Sequence, residues 1–114
     1  MKTDRVHLID MQQAIERIQS YLTGMDETLF LADPKTVAAC EHELAALGEA
    51  SKNVSDSTQN QMRGVRWQYL RLMRNMLSHE HYQVNPRTLW RTLQTDLPPI
   101  AEVLKQVKIV TTQP

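Results

Sequence analysis

The chain has 114 residues, with thirteen basic and thirteen acidic side chains and one cysteine. This length fits a single domain, and the balanced charge excludes a molecule-wide field for nucleic acid, so any phosphate-binding site must be a local patch. A single cysteine excludes an intramolecular disulfide and a zinc site built mainly from thiolates. We therefore expect one domain over residues 1–114, with its core at about 4–107 and a fraying tail at 108–114.

The first ten residues contain several charged side chains and no apolar stretch of the kind found in signal peptides. No apolar run in the chain approaches the roughly 20 residues that span a bilayer. From these two features we expect a cytoplasmic protein that has no membrane partner.

The first predicted helix is amphipathic. Its apolar residues recur at alternating spacings of three and four and so form one stripe, made of Leu8, Met11, Ile15, Ile18 and Leu22. Thr3 or Asp4 can cap the start of this helix, and Gly24 can close its end.

A short connection through Leu29–Leu31 leads to the pair Asp33-Pro34. Aspartate can accept hydrogen bonds from first-turn amides, and proline fits the first helical position. The pair therefore predicts a second, alanine-rich helix that runs to about Asn53. The stretch from Ser55 to Gln61 has little apolar content and no periodicity, which predicts an exposed loop.

Three more helical segments are predicted in the rest of the chain. The first runs from about Arg66 to the region of His79–Tyr82, and the second opens at Asn85-Pro86. The Asp96–Pro99 segment breaks or kinks that helix, because proline lacks an amide donor, and the last segment follows from Ile100. No stretch alternates convincingly with period two, so the predicted fold is all-α, an antiparallel bundle of four to five helices.

The densest polar cluster in an apolar context lies at residues 71–82. Asn75 and His79 are four residues apart and share a helix face, whereas Arg74 and His79 diverge by about 140° on a regular helix. A helix that ends near His79, or a second copy of the helix across a two-fold axis, would bring these groups together.

An arginine, an asparagine and a histidine without a carboxylate partner suit phosphodiester cleavage in RNA. Imidazole titrates near neutral pH and can move a proton at the reacting oxygens, and guanidinium can fork onto the phosphate. The ribose supplies its own nucleophile, the 2′-hydroxyl. Arginine and histidine near a helix end also often do no more than satisfy terminal carbonyls, so the spacing alone leaves both interpretations open.

The segment Arg74-Asn75-Met76-Leu77-Ser78-His79 resembles the Arg-Asn-x-x-x-His signature of HEPN ribonucleases. Residues 44–50, Leu-Ala-Ala-Leu-Gly-Glu-Ala, resemble a second-helix segment of the HepT-like branch of that family. Trp67 upstream of the signature, and Trp90 followed by Asp96–Pro99, also match the pattern of this branch. The resemblance covers nearly the whole chain.

This resemblance implies an antiparallel helical bundle that forms a symmetric homodimer, with both copies of the signature in one cleft. It implies a toxin that cleaves RNA as a metal-independent endoribonuclease without a cofactor. The implied partner is a nucleotidyltransferase antitoxin that silences the toxin by transferring AMP to a tyrosine. For the site, it implies that His79 is the general base or acid and Arg74 the phosphate ligand, with Asn75 orienting His79 or the backbone.

The extended motif of this branch, Arg-x-x-x-x-His-x-Tyr, is only partly matched. His81 stands two residues after His79, and the tyrosine follows one place later as Tyr82. Tyr82 is therefore a shifted candidate for the AMP acceptor. This difference from the motif bears on the implied control by AMP transfer more than on the implied cleavage of RNA.

Basic residues cluster around the same segment. Four arginines fall within twelve positions, namely Arg63, Arg66, Arg71 and Arg74. They form either a local footprint for RNA or a set of partners for acidic residues on the second helix or on an antitoxin. Arg71 and His81 are the further candidates for RNA contact, with a plain solvated role as the alternative for each.

Three further features of the sequence have simpler interpretations. No metal site is predicted, because His79 and His81 would point to different sides of a helix. Glu49 lies on an apolar-flanked helix segment and is a candidate buried partner for an arginine such as Arg74. Cys40 is predicted to be a small core residue.

Two functions other than a ribonuclease toxin stay open at this point. One is a non-catalytic helical subunit that partners a nucleotidyltransferase, and the other is a structural dimer with no role in nucleic-acid chemistry. The trio of Arg74, Asn75 and His79 favours the nuclease, because a pure scaffold has no need of it.

Overall fold

A computed structural model of the protein describes residues 3–79 and 84–111, with side chains up to residue 106. These residues form helices and no strand, so the predicted all-α class is confirmed. The helices are α1 (Asp4–Leu22), α2 (Glu27–Leu31), α3 (Pro34–Lys52), α4 (Asp56–Gln61), α5 (Trp67–Leu77), α6 (Pro86–Thr95) and α7 (Leu97–Thr111).

Helices α1 and α3 pack against each other in opposite directions. The apolar stripe predicted for α1 faces this contact, and its first four members are buried while Leu22 is half-buried. Asp4 at the start of α1 reaches Ser55 just beyond α3, whereas Arg17 near the end of α1 contacts Glu43 in the middle of α3. Gly24 closes α1 as predicted, with φ at 78°.

Helix α3 is the central element of the bundle, since α1 packs on one of its sides and α5 on another. Helix α7 covers α1 and continues from α6. A buried side-chain amide joins α1 to α7, where Gln12 Nε2 donates to the carbonyl oxygen of Leu104 at 3.0 Å. Phe30 and Trp90 bring α2 against α6, with ring centroids 5.2 Å apart.

Two short helices were not predicted from the sequence. Residues 27–31 were expected to be a connection and residues 56–61 an exposed loop, but they form α2 and α4. Capping explains both, because the side chain of Asp26 accepts from the amide of Leu29 and that of Ser55 accepts from the amide of Thr58. Helix α4 has no buried residue, so the expected exposure of this stretch is correct.

The boundaries of α5 and α7 also differ from the prediction. Helix α5 ends at Leu77, before the expected region of His79–Tyr82. Helix α7 starts at Leu97, with two prolines in its first turn, where the amides lack intrahelical partners in any helix. It continues to Thr111, beyond the predicted start of the fraying tail at 108. The described residues therefore form seven helices where four to five were expected.

None of the helices in residues 3–79 and 84–111 combines the length and the apolar character that crossing a bilayer requires.

Candidate active site

Helix α5 carries three of the predicted site residues, Arg71, Arg74 and Asn75. Its inner side is fixed on the core by Trp67 and Leu70, which are buried. The indole Nε1 of Trp67 also donates to the carbonyl oxygen of Met62 at 3.0 Å, which ties the start of α5 to the preceding turn. The helix is therefore anchored at its beginning, and its last turns hold the signature residues.

His79 lies just past the end of α5. The amide of Ser78 donates to the carbonyl oxygen of Arg74 at 3.0 Å, and the amide of His79 donates to that of Met76 at 3.2 Å. The second bond is a tighter turn than an α-helical one and takes His79 off the regular helical path. The side chain of His79 is exposed, as a group that meets a substrate must be.

Arg74 is held by two hydrogen bonds. Its Nε donates to Oε2 of Glu49 at 2.8 Å, and its Nη1 donates to Oδ1 of Asn75 at 3.0 Å. The side chain is 31% exposed. A guanidinium has five N–H donors, so three of them have no hydrogen-bond partner among the residues that the structure describes. The pairing of Glu49 with Arg74 that the sequence suggested is confirmed, but the prediction that Glu49 is buried is wrong, because its side chain is 50% exposed.

Gly48 allows this arrangement. A Cβ atom at this position would overlap the Cβ of Arg74 and lie 2.9 Å from the carbonyl oxygen of Leu70. Glycine inside a helix costs about 1 kcal/mol relative to alanine. Here the missing side chain lets α3 and α5 approach closely enough for Glu49 to reach Arg74. In the sequence, Gly48 is an isolated glycine within an alanine-rich helix, which by itself does not indicate the residues that it contacts.

The structure brings only some of the predicted site residues together. The described side-chain hydrogen bond of Asn75 runs to Arg74, and its predicted role in orienting His79 stays a prediction. Arg71 is exposed, and its Nη1 donates to Oε1 of Gln59 at 3.3 Å. His81 and Tyr82 lie outside the described residues.

Cys40 takes no part in this site. It is fully buried, as predicted, and burial raises the pKa of its thiol to about 11. Among the residues that the structure describes, no three His, Cys, Asp or Glu side chains gather in a group that could hold a metal ion.

An apolar groove lies beside the signature, between α5 and α6. Its volume is about 450 Å³, and its lining residues include Leu44, Met73, Leu77 and Leu89. Leu72 and Met76, at its edge on α5, are 55% and 50% exposed. Large apolar side chains that are exposed together in this way are typical of an interaction surface.

Fold and sequence together define a small all-α protein with a candidate site of arginine, asparagine and histidine at the end of one helix. A model of the family described as ribonuclease HepT-like matches residues 11–107. The matched range contains α5 and every residue of the signature. The chain belongs to the HepT-like ribonuclease family, as the resemblance in its sequence indicated.

Several curated proteins are similar over most of their length. A protein of Thermococcus cleftensis named as a probable ribonuclease HepT is 32% identical over 97 residues, which cover 85% of this chain and 88% of the relative. A protein of Caldanaerobacter subterraneus subsp. tengcongensis, named as a candidate RNase, is 30% identical over 107 residues, which cover 94% of this chain and 96% of the relative. No solved structure matches the chain at a significant level.

Proposed function

We propose that the protein is a metal-independent endoribonuclease and acts as the toxin of a toxin–antitoxin pair. One observation carries the proposal: Arg74 is held by Glu49 with three donors left over, and an exposed His79 follows at the end of the same helix. Membership of a ribonuclease family supports the choice of RNA as the substrate.

The proposed reaction uses the 2′-hydroxyl of the RNA as nucleophile. One His79 takes the 2′-hydroxyl proton, and the oxygen attacks the adjacent phosphorus. The bond to the 5′-oxygen breaks, a second His79 protonates this leaving group, and a 2′,3′-cyclic phosphate is left. The free N–H groups of Arg74 stabilise the charge that develops on the phosphoryl oxygens.

Two copies of His79 require two chains, so the proposal includes a symmetric homodimer. Leu72 and Met76 support it, because they are exposed and lie four residues apart on α5. Asn75 follows Leu72 by three residues, and His79 follows Met76 by three residues. A two-fold contact through Leu72 and Met76 would therefore set the two signatures beside each other.

The experiment is cleavage of total cellular RNA by the purified protein with EDTA present. The variants are His79→Ala and, as a matched control, His42→Ala, because His42 is also exposed but lies on α3 away from the signature contacts. We expect discrete fragments from the wild type and from His42→Ala, and none from His79→Ala at unchanged melting temperature. Full activity of folded His79→Ala would refute the assignment of the general base.

We further propose that a nucleotidyltransferase antitoxin silences the protein by transferring AMP to Tyr82. The support is the resemblance of the signature region to the HepT-like branch, with the tyrosine one place later than in its motif. Incubation with such an enzyme and ATP should add one AMP to the wild type and none to Tyr82→Phe, as measured by intact mass. Equal labelling of Tyr82→Phe would place the acceptor elsewhere.

A further inference from the structure

A second groove lies between α4 and the first half of α5 and adjoins the apolar groove, with which it shares Tyr69 and Leu72. Its volume is about 590 Å³. Three of its lining residues are the arginines Arg63, Arg66 and Arg71, and the amide side chains of Gln59 and Gln68 lie beside them. None of the described residues that line it is acidic. In a chain with zero net charge, this groove is a local concentration of positive charge.

The three arginines differ in how far their charge is compensated. Arg66 is held in place, since its Nη1 lies 3.4 Å from Oδ1 of Asp96 and its guanidinium stacks 4.2 Å from the centre of the Tyr69 ring. Arg71 donates to a neutral amide, that of Gln59. Neither Arg71 nor the exposed Arg63 forms an ion pair with any residue in the described ranges. Two positive charges in the groove therefore have no acidic partner within 3–79 and 84–106.

The aromatic residues of the groove are not available for stacking on bases. Trp67 is only 8% exposed, and its indole N–H is already bonded to Met62. The ring of Tyr69 is covered by Arg66, and its hydroxyl donates to Oδ2 of Asp96 at 2.7 Å. What the groove offers a ligand is therefore guanidinium and amide donors, which suit phosphate oxygens rather than bases.

The groove leads towards the signature along α5. Arg71 precedes Arg74 by one turn, and at a rise of 1.5 Å per residue it lies about 9 Å from Leu77, where α5 ends just before His79. A nucleic-acid strand with its reacting phosphate at Arg74 would pass Arg71 and Arg63 within a few nucleotides.

We propose that this groove binds the sugar–phosphate backbone of single-stranded RNA next to the cleaved bond. This inference rests on the proposed ribonuclease function and adds a binding site to it. Three arginines and no acidic residue among its described lining residues favour a polyanion over a protein partner. Because the groove contacts the sugar–phosphate backbone and not the base edges, it raises the affinity for RNA without setting a sequence preference.

The test measures binding of a fluorescent single-stranded RNA of about 20 nucleotides. Fluorescence anisotropy gives the affinity at each of a series of salt concentrations. All proteins carry His79→Ala so that the RNA stays intact. Arg63→Gln with Arg71→Gln removes two charges from the groove, and Arg87→Gln with Arg91→Gln removes two from exposed positions on α6 outside it. Melting temperatures confirm that each variant folds.

We expect the groove variant to bind about tenfold more weakly. We also expect the slope of log affinity against log salt concentration to shrink by about 1.4, since each contact with a single-strand phosphate contributes about 0.7. The α6 variant should behave like its parent. Equal affinity and slope in all three proteins would overturn the proposal, as would a parent protein that binds no RNA.

A second measurement separates this inference from the proposed function. With His79 restored, Arg63→Gln alone should show a raised KM on the long RNA and an unchanged rate on a dinucleotide, which is too short to extend from Arg74 to Arg63. A wild type that binds RNA but never cuts it would refute the proposed ribonuclease function, while the proposed RNA-binding role of the groove would stand. If the groove variant binds and cuts RNA normally but loses its nucleotidyltransferase partner, the groove is a protein site and the proposal is wrong.

Discussion

Arg74 owes its position to two neighbouring residues of α3, which act through different physical effects. Glu49 supplies a charge-assisted hydrogen bond at 2.8 Å, and Gly48 supplies space. A free arginine samples many rotamers, and holding it removes that entropy before substrate arrives. The carboxylate also leaves the outer donors of the guanidinium free, so it positions the arginine without neutralising its hydrogen-bonding capacity.

The change Glu49→Gln tests this positioning role. We expect RNA cleavage to fall about tenfold, because the neutral amide holds the guanidinium less firmly. Stability should change by less than about 1 kcal/mol, since Glu49 is half exposed and surface ion pairs contribute little. Glu102→Gln, which removes the acidic partner of an exposed ion pair on α7, is the control and should leave cleavage unchanged. Equal activity of both variants would show that Arg74 needs no partner.

At the scale of elements, the site depends on the close approach of α3 and α5. Leu70 and Arg74 of α5 lie directly over Gly48, and Leu44, one turn earlier on α3, lines the apolar groove with Leu77. This antiparallel contact sets where α5 ends relative to the bundle. The position of His79 is thus determined by helix packing as well as by the local turn.

Gly48→Ala should separate the two helices. The added methyl group meets backbone and Cβ atoms that cannot rotate away, so we expect a loss of about 1–3 kcal/mol of unfolding free energy together with most of the activity. The control is Gly24→Ala, where φ is 78° but nothing lies within 4 Å. It should cost about 1 kcal/mol through backbone strain and keep its cleavage rate. Denaturant unfolding and RNA cleavage measure both effects, and full activity of Gly48→Ala would contradict the packing argument.

A carboxylate clamp joins α1 to the short helix α4. Asp4 accepts from the Ser55 amide at 2.9 Å, from the Ser55 hydroxyl, and from the Thr58 hydroxyl at 2.6 Å. These hydrogen bonds, the one from the Ser55 hydroxyl first, hold the pKa of Asp4 below its ordinary value of 3.8. A lowered pKa in the folded state means that the ionised form is stabilised, so the contribution is present at neutral pH and disappears in acid.

We therefore expect Asp4→Asn to melt below the wild type at pH 7, with the gap closing as the pH falls under 3.8 and the carboxyl of Asp4 becomes protonated. Asp56→Asn, a change of the same kind at an exposed position of α4, should show a smaller gap. Thermal melts followed by circular dichroism over a pH series provide the comparison. A gap for Asp4→Asn that is constant with pH would contradict the clamp.

The sequence predicted the long helices well because their apolar residues repeat over several turns and their ends carry strong caps, such as Asp33-Pro34 and Asn85-Pro86. It missed α2 and α4 because five or six residues are too few to show a period, and their helicity depends on a side-chain cap. The signature was visible as a motif. Its support by Gly48 was not, because that contact joins residues 22 to 26 positions apart through packing.

At the scale of the whole molecule, one chain offers one Arg74 and one His79, whereas the proposed reaction uses a proton acceptor and a proton donor at once. The apolar groove between α5 and α6 and the exposed pair Leu72 and Met76 lie beside the signature. Burying this surface in a dimer would supply the driving force for association. Self-association and catalysis are therefore expected to fail together.

Met76→Asp tests this link. A charge in the middle of an apolar contact should convert a dimer to a monomer and abolish cleavage, while the fold persists because the side chain is 50% exposed. The control is Leu29→Asp, on α2, where the leucine is 52% exposed and lies away from the groove. Sedimentation velocity reports the mass of each variant. A monomeric wild type with full activity would contradict the dimeric site.

The most direct test of the proposed reaction compares cleavage of two oligonucleotides in EDTA. One is an RNA strand, and the other is a copy with a 2′-deoxy substitution at each position that is cut. We expect the wild type to cleave the all-RNA strand and to leave the 2′-deoxy copy intact. The products should carry 2′,3′-cyclic phosphate ends, identified by mass spectrometry, and His79→Ala should give no product. Cleavage at a 2′-deoxy position, or products with 3′-hydroxyl ends, would contradict a reaction that proceeds through the 2′-hydroxyl under the control of His79 and Arg74.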